Sequence, residues 1–204
     1  MDAKEPDLSG TYTYADYMTW EWDQLAELIH GKVYKMSPGP SSDHQGISAN
    51  LFGPLWNYFK GRKCKVFAAP FDVRLPGPSK KKADKDIVTV VQPDLCVICD
   101  LSKIDKRGCI GAPDWIIEIL SKYTSSKDLS IKFDVYEAAG VKEYWAVHPE
   151  EQTVLIYTLD VHGKYKGNRK PFTVTDIISP TIFPELHINL GEVFQEGEID
   201  SIHP

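Results

Sequence analysis

Apolar positions in this chain recur in two rhythms. In "SDHQGISANLFGPLWNYFK", Ile47, Leu51, Leu55, Tyr58 and Phe59 return at the spacing of one helix face. Ser42 or Asp43 can cap that helix and Gly61 can stop it. A second helix is predicted in "SSKDLSIKFDVYEAAG", with Ile131, Val135 and Ala138 as its apolar stripe and Gly140 at its end. A short amphipathic helix opened by Thr11 or Thr13 is predicted in "TYTYADYMTWEWDQL". Elsewhere the rhythm is that of strands. "AELIHGKVYKM" predicts a hairpin turning at His30-Gly31. "CKVFAAPFDVRL" predicts a strand pair, or one bent strand, interrupted at Pro70. "IVTVVQPDLCVICD" is a strong strand pattern broken at Gln92-Pro93. "VKEYWAVH" and "TVLIYTL" predict two strands joined by "PEEQ", followed by a hairpin around "DVHGKYKG" and a short strand near "LHINLGEVF". "SPGPSS", "PGPSKKKADKD" and "LSKIDKRGCIGA" predict loops. Strands dominate the centre and helices are inserted between them. That pattern predicts an α/β (α+β) domain with a mixed central β-sheet flanked by helices. There is no internal repeat and no long linker, so residues 12–195 read as one domain, 1–11 as a flexible leader and 196–204 as a tail.

One strand pattern carries an anomaly. "PDWIIEIL", residues 113–120, reads as a strand buried on both faces. With period two, Trp115, Ile117 and Ile119 point one way, and Ile116, Glu118 and Leu120 the other. A buried, unpaired carboxylate is costly, so Glu118 calls for a cation or hydrogen bonds to meet it.

Composition narrows the setting. The chain has 204 residues, 42% hydrophobic and 25% charged, ordinary values for a soluble domain able to bury a core. No apolar run approaches the ~20 residues of a membrane span, and the polar, acidic N-terminus is not a secretory signal. The net charge of −6 argues against indiscriminate polyanion binding but leaves room for a local basic patch. "SKKKADKD" reads as a solvated loop and "KGRKCK" as a solvated helix end, each with phosphate contact as the sharper alternative. Cys64, Cys96, Cys99 and Cys109 lack zinc-site spacing and are expected to be reduced core thiols of a cytoplasmic protein.

Asp94 lies in the neighbouring apolar strand pattern, and sequential strands usually lie side by side. Asp94 and Glu118 would then face one another, and their repulsion is removed by a divalent cation. Magnesium, or manganese in its place, prefers such oxygen ligands, and the Ile119 carbonyl can add one. Lys132, on the following helix, can orient a water or stabilise negative charge.

This combination resembles the PD-(D/E)xK nuclease superfamily, and the chain as a whole resembles its Uma2 family (DUF820) of restriction-endonuclease-like proteins. The resemblance spans about residues 12–195. It rests on "ELIHGKVYKMSPGPSSDHQGIS", "FAAPFDVRL", "VVQPDLCVICD", "GAPDWIIEILSKYTSSKDLSIKFDVYEAAGVKEYWAV" and "SPTIFPELHINLGEVF" taken together. It implies that Asp94 and Glu118 bind the metal. The lysine that most of the superfamily carries two residues after the acid is replaced here by Leu120, and Lys132 is its counterpart. It also implies site roles for Glu27, as an outer metal ligand, and for His44, which can hold a water or phosphate or simply cap and pack. His30, His148 and Lys122 depart from the family's usual residues; the first two lie at turns, and Lys122 is either near substrate or loop variation.

Blander roles stand beside these. Asp94 alone would read as a turn residue after proline. Asp114 reads as loop chemistry, and Asp128 as a helix-start residue or a partner of Lys132. Tyr136 reads as packing, with Tyr144 and Trp145 as core. Glu118 can be buried only to pair with Lys132. The expected function is a magnesium-dependent endonuclease acting on DNA, with homodimerisation as a means of cutting both strands. The alternative is a catalytically weak nucleic-acid-binding or regulatory module on the same fold.

Overall fold

The computed structural model describes residues 5–36, 39–120 and 128–195. Thr13 opens α1 (Tyr14–Tyr17), accepting from the Asp16 amide while Asp16 accepts from the Thr13 amide. The helix is shorter than its sequence pattern predicts. The Thr19 amide and hydroxyl both bond the Asp16 carbonyl and turn the chain away. The predicted hairpin forms from β1 (Ala26–Ile29) and β2 (Lys32–Lys35). His30 and Gly31 both have positive φ, 50° and 78°, as a tight two-residue turn requires. α2 (Ser42–Phe59) is capped one residue earlier than expected, by the Ser41 hydroxyl accepting from the His44 amide.

Both predicted breaks are points where the chain changes sheet. β3 (Lys65–Ala68) and β4 (Val73–Arg74) flank Pro70, and β5 (Val90–Val91) and β6 (Leu95–Ile98) flank Gln92-Pro93. β3 pairs with β6, and β4 with β5, in different sheets. "LSKIDKRGCIGA" is not the loop its polarity predicts. It holds β7 (Ile104–Asp105) and β8 (Gly108–Ile110), a hairpin held by the Arg74 guanidinium on Asp105.

β9 (Trp115–Ile119) is buried throughout. The chain is next described in a π-helical turn, Asp128–Lys132, that runs into α3 (Phe133–Ala139), which ends at Gly140 with φ 85°. The predicted helix start before Asp128, Lys122, and residues 1–4 and 196–204 of the predicted leader and tail lie outside the described residues. β10 (Glu143–His148), β11 (Thr153–Leu159), β12 (Tyr165–Gly167) and β13 (Phe172–Thr173) follow. A small ribbon of β14 (Ile177–Ile178) and β15 (Ile188–Asn189) precedes α4 (Leu190–Val193).

Among the described residues the strands form two main sheets. The larger runs β12-β11-β10-β9-β6-β3 with β13 also on β11, and the smaller runs β2-β1-β5-β4-β8-β7. Each is mixed: β9 with β10, and β4 with β8, are parallel, and the other pairs antiparallel. The two faces of β9 divide as its alternation predicts. Trp115, Ile117 and Ile119 pack with Ile47, Leu51 and Leu55 of α2. Ile116 and Leu120 pack with Val135 and Tyr136 of α3. Glu118 shares that second face.

The expectation of four reduced thiols is corrected. Cys64 and Cys99 form a disulfide with an S–S distance of 2.03 Å. They lie one step beyond the Lys65–Ile98 pair of the β3–β6 ladder, so the strand register itself sets them opposite one another. Cys96 and Cys109 are free and buried.

Candidate active site

The antiparallel register pairs Leu95 with Ile117, so one further step sets Asp94 opposite Glu118. The two acids are thus brought to neighbouring strands, as their sequence positions predict. Asp94 Oδ2 accepts from the Ile119 amide at 2.7 Å, which ties the end of β6 to β9. Glu27 arrives from β1 in the other sheet. Its Oε1 accepts from the backbone amide of Gln92 at 2.8 Å, two residues before Asp94. The site therefore lies where the two sheets meet.

Lys132 enters from the last residue of the π-helical turn. Its Nζ is 2.9 Å from Glu27 Oε1 and 3.0 Å from Glu118 Oε1. Glu118 Oε1 also accepts from the Tyr136 hydroxyl at 2.5 Å. Lys132 and Tyr136 are one helical turn apart and so share a face. His44, in the first turn of α2, places Nε2 3.3 Å from Asp94 Oδ1, and the Ile119 carbonyl acts on it electrostatically. Its Nδ1 is buried and has no hydrogen-bond partner among the described residues. The Asp94 and His44 side chains are 19% and 18% exposed, against 7% or less for Glu27, Glu118 and Lys132. Among the described residues the cluster is most exposed on the Asp94–His44 side.

The electrostatics follow from buried carboxylates crowded together, with Lys132 bridging Glu27 and Glu118. Burial raises Glu118 from 4.5 to about 8; Lys132 and the Tyr136 hydrogen bond oppose the rise, and the charges of Asp94 and Glu27 add to it. Burial, with Glu118 beside it, holds the Tyr136 phenol well above its ordinary value, so the hydroxyl remains a donor. Burial alone would lower His44, but the Asp94 hydrogen bond and charge and the Ile119 carbonyl outweigh it and raise its pKa.

The donor set fits a hard divalent cation: the Asp94 and Glu118 carboxylates and the Ile119 carbonyl are all oxygen. Among the described residues no three His, Cys, Asp or Glu side chains form a ready-made cage. Magnesium does not require one, since it binds through one or two carboxylates and keeps several waters.

All the site residues expected from the sequence meet here: Asp94, Glu118, Ile119 and Lys132, with Glu27 and His44. Asp114 stands apart, as its loop reading predicts, accepting from the Cys99 amide and Lys142. Sequence reasoning missed the Tyr136 hydroxyl, whose signal was its place four residues after Lys132. It also missed the Gln92 amide, for which a side-chain pattern holds no signal.

The arrangement of mixed sheets with few helices matches a nuclease-like fold known from a solved structure. A crystal structure from Anabaena variabilis, described as a "putative nuclease belonging to DUF820", superposes with a TM-score of 0.67 at 21% identity, over 90% of this chain and 97% of that one. The model of the Uma2 family, described as "Putative restriction endonuclease", matches residues 14–191, and the chain belongs to that family. An uncharacterised protein of Synechocystis sp. is 26% identical over 123 residues, 59% of this chain and 60% of that protein's length.

Proposed function

We propose that this chain is a divalent-cation-dependent endonuclease that hydrolyses phosphodiester bonds of DNA. The observation that carries the proposal is the meeting of Asp94 and Glu118 from adjacent strands with Lys132 from the crossover helix. Membership of a nuclease family supports it. Asp94, Glu118 and the Ile119 carbonyl would hold magnesium or manganese. The cation would counter charge on the scissile phosphate and the departing oxygen. Lys132 would leave Glu118 to orient the attacking water and to stabilise the charge that grows on phosphorus oxygens. His44, at the open side, is placed to hold a proton near that water or near the departing oxygen. Glu27 keeps Lys132 within reach of the centre. Hydrolysis then consumes one water, breaks one P–O bond and leaves a phosphate monoester and a hydroxyl.

A second reading has its own support. The ammonium of Lys132 is already bonded to two carboxylates, and the chain is acidic overall. Both suit a nucleic-acid-binding or regulatory module with little turnover.

Plasmid and linear duplex DNA incubated with magnesium or manganese separate the two, alongside calorimetry of the metal alone. Wild type should bind metal and cut, and Asp94→Ala and Glu118→Ala should lose both. Metal-free binding of DNA by all three proteins, with no cleavage by any, would establish the second reading instead.

A further inference from the structure

We propose that Tyr136 is the positioning residue of the metal site, fixing the Glu118 carboxylate so that Lys132 is free to leave it; this rests on the reading of the site given above. Glu118 Oε1 has two donors of different character. Lys132 divides its ammonium between Glu118 and Glu27, at 3.0 and 2.9 Å. It reaches them from a π-helical turn at the end of a long, rotatable side chain. Such a lysine, though buried, has the rotatable bonds to pass from one carboxylate to another acceptor within the cluster.

Tyr136 cannot. It is fully buried in the regular part of α3. Its ring stands at 65° to that of Tyr144, with centroids 5.3 Å apart. Val135, Val141 and Ala146 belong to the same apolar cluster. A phenol has one rotatable hydroxyl on a rigid ring, and here that hydroxyl is 2.5 Å from Glu118 Oε1. A hydroxyl set among apolar side chains is costly to bury unless bonded. Phenylalanine would fill the same space, so packing alone does not account for the tyrosine.

The two donors therefore divide the work. A phosphate or water arriving at the open side competes for Lys132. When the lysine turns to it, Glu118 loses the bond from Lys132, and the bond from Tyr136 keeps its carboxylate in the orientation that a cation needs. Partners one step behind a metal ligand typically govern affinity by 10- to 100-fold.

The test uses manganese alone as the probe, with free metal counted by electron paramagnetic resonance, on wild type, Tyr136→Phe and Lys132→Met. Circular dichroism of each protein establishes that it is folded. Tyr136→Phe should bind manganese roughly tenfold more weakly, and its cleavage should return toward the wild-type rate as manganese is raised. Lys132→Met should bind manganese at least as tightly as wild type, yet not cut at any metal concentration. Wild-type affinity in Tyr136→Phe would overturn the assignment, as would a loss of cleavage that excess metal does not restore. If wild type binds no manganese, the metal-site reading falls and takes this inference with it. If wild type binds and Tyr136→Phe binds equally, only the inference falls.

Discussion

Replacing Glu118 with glutamine should make the protein more stable at alkaline pH while abolishing cleavage. In the metal-free protein, burial raises the Glu118 carboxyl from 4.5 to about 8. The folded state thus holds its proton more tightly than the unfolded chain does. Below about pH 4.5 both states are protonated and nothing is lost. Between 4.5 and about 8 the unfolded chain ionises first, so stability declines as pH rises, and above about 8 the loss is complete. Each tenfold in proton affinity is worth about 1.36 kcal/mol, so the whole rise corresponds to roughly 5 kcal/mol. Glutamine keeps an oxygen that can accept from Lys132 and Tyr136, and Lys132 keeps Glu27 as its counter-ion. The variant should therefore lack the decline and gain about 2–5 kcal/mol over wild type at pH 8.5, with little difference at pH 5. Urea unfolding in the presence of a chelator, at pH 5, 7 and 8.5, measures this directly. A variant less stable than wild type at pH 8.5, or one with an unchanged pH slope, would refute the reasoning. It would mean that Glu118 is kept for its ion pair with Lys132.

Three further outcomes are expected. Lys132→Met leaves Glu27 buried without its cation and should cost about 3–5 kcal/mol in urea unfolding at pH 7. Gly108→Ala should cost at least about 2 kcal/mol in the same assay, because Gly108 has φ 127° and an added Cβ would lie 2.2 Å from the Asp72 carbonyl oxygen. Thiol titration of the oxidised, urea-unfolded chain should find only Cys96 and Cys109. Reduction should lower the urea midpoint by an amount corresponding to about 4 kcal/mol for a loop closed across 35 residues, and four titratable thiols before reduction would contradict the pairing.

The central architecture was legible because β9 is buried on both faces and so shows its alternation plainly in "WIIEI". Glu118 stood out against that background. Asp94 could then be placed by strand adjacency, and Lys132 by the family resemblance, on the helix that follows. What was not legible depended on contacts distant in sequence. β7 and β8 are two and three residues long, too short to show a strand pattern, and they become strands because Arg74 and β4 receive them. The Cys64–Cys99 pairing follows from the β3–β6 register, which neither strand's own pattern specifies. A tyrosine on a helix stripe looks the same whether its hydroxyl is bonded or merely tolerated, so Tyr136 passed as packing. The two sheets were read as one because the breaks at Pro70 and Gln92-Pro93 look like kinks until their partners are known.

Gln92 and Pro93 are the whole bridge between a strand of one sheet and the aspartate at the head of a strand in the other. The Gln92 amide holds Glu27 while its side chain donates to Asp72, so a single short segment sets the spacing of two of the three acids. The distance between Glu27 and Asp94 is in this sense a gauge of the angle between the sheets. A rotation of one sheet against the other would therefore change the spacing of these carboxylates.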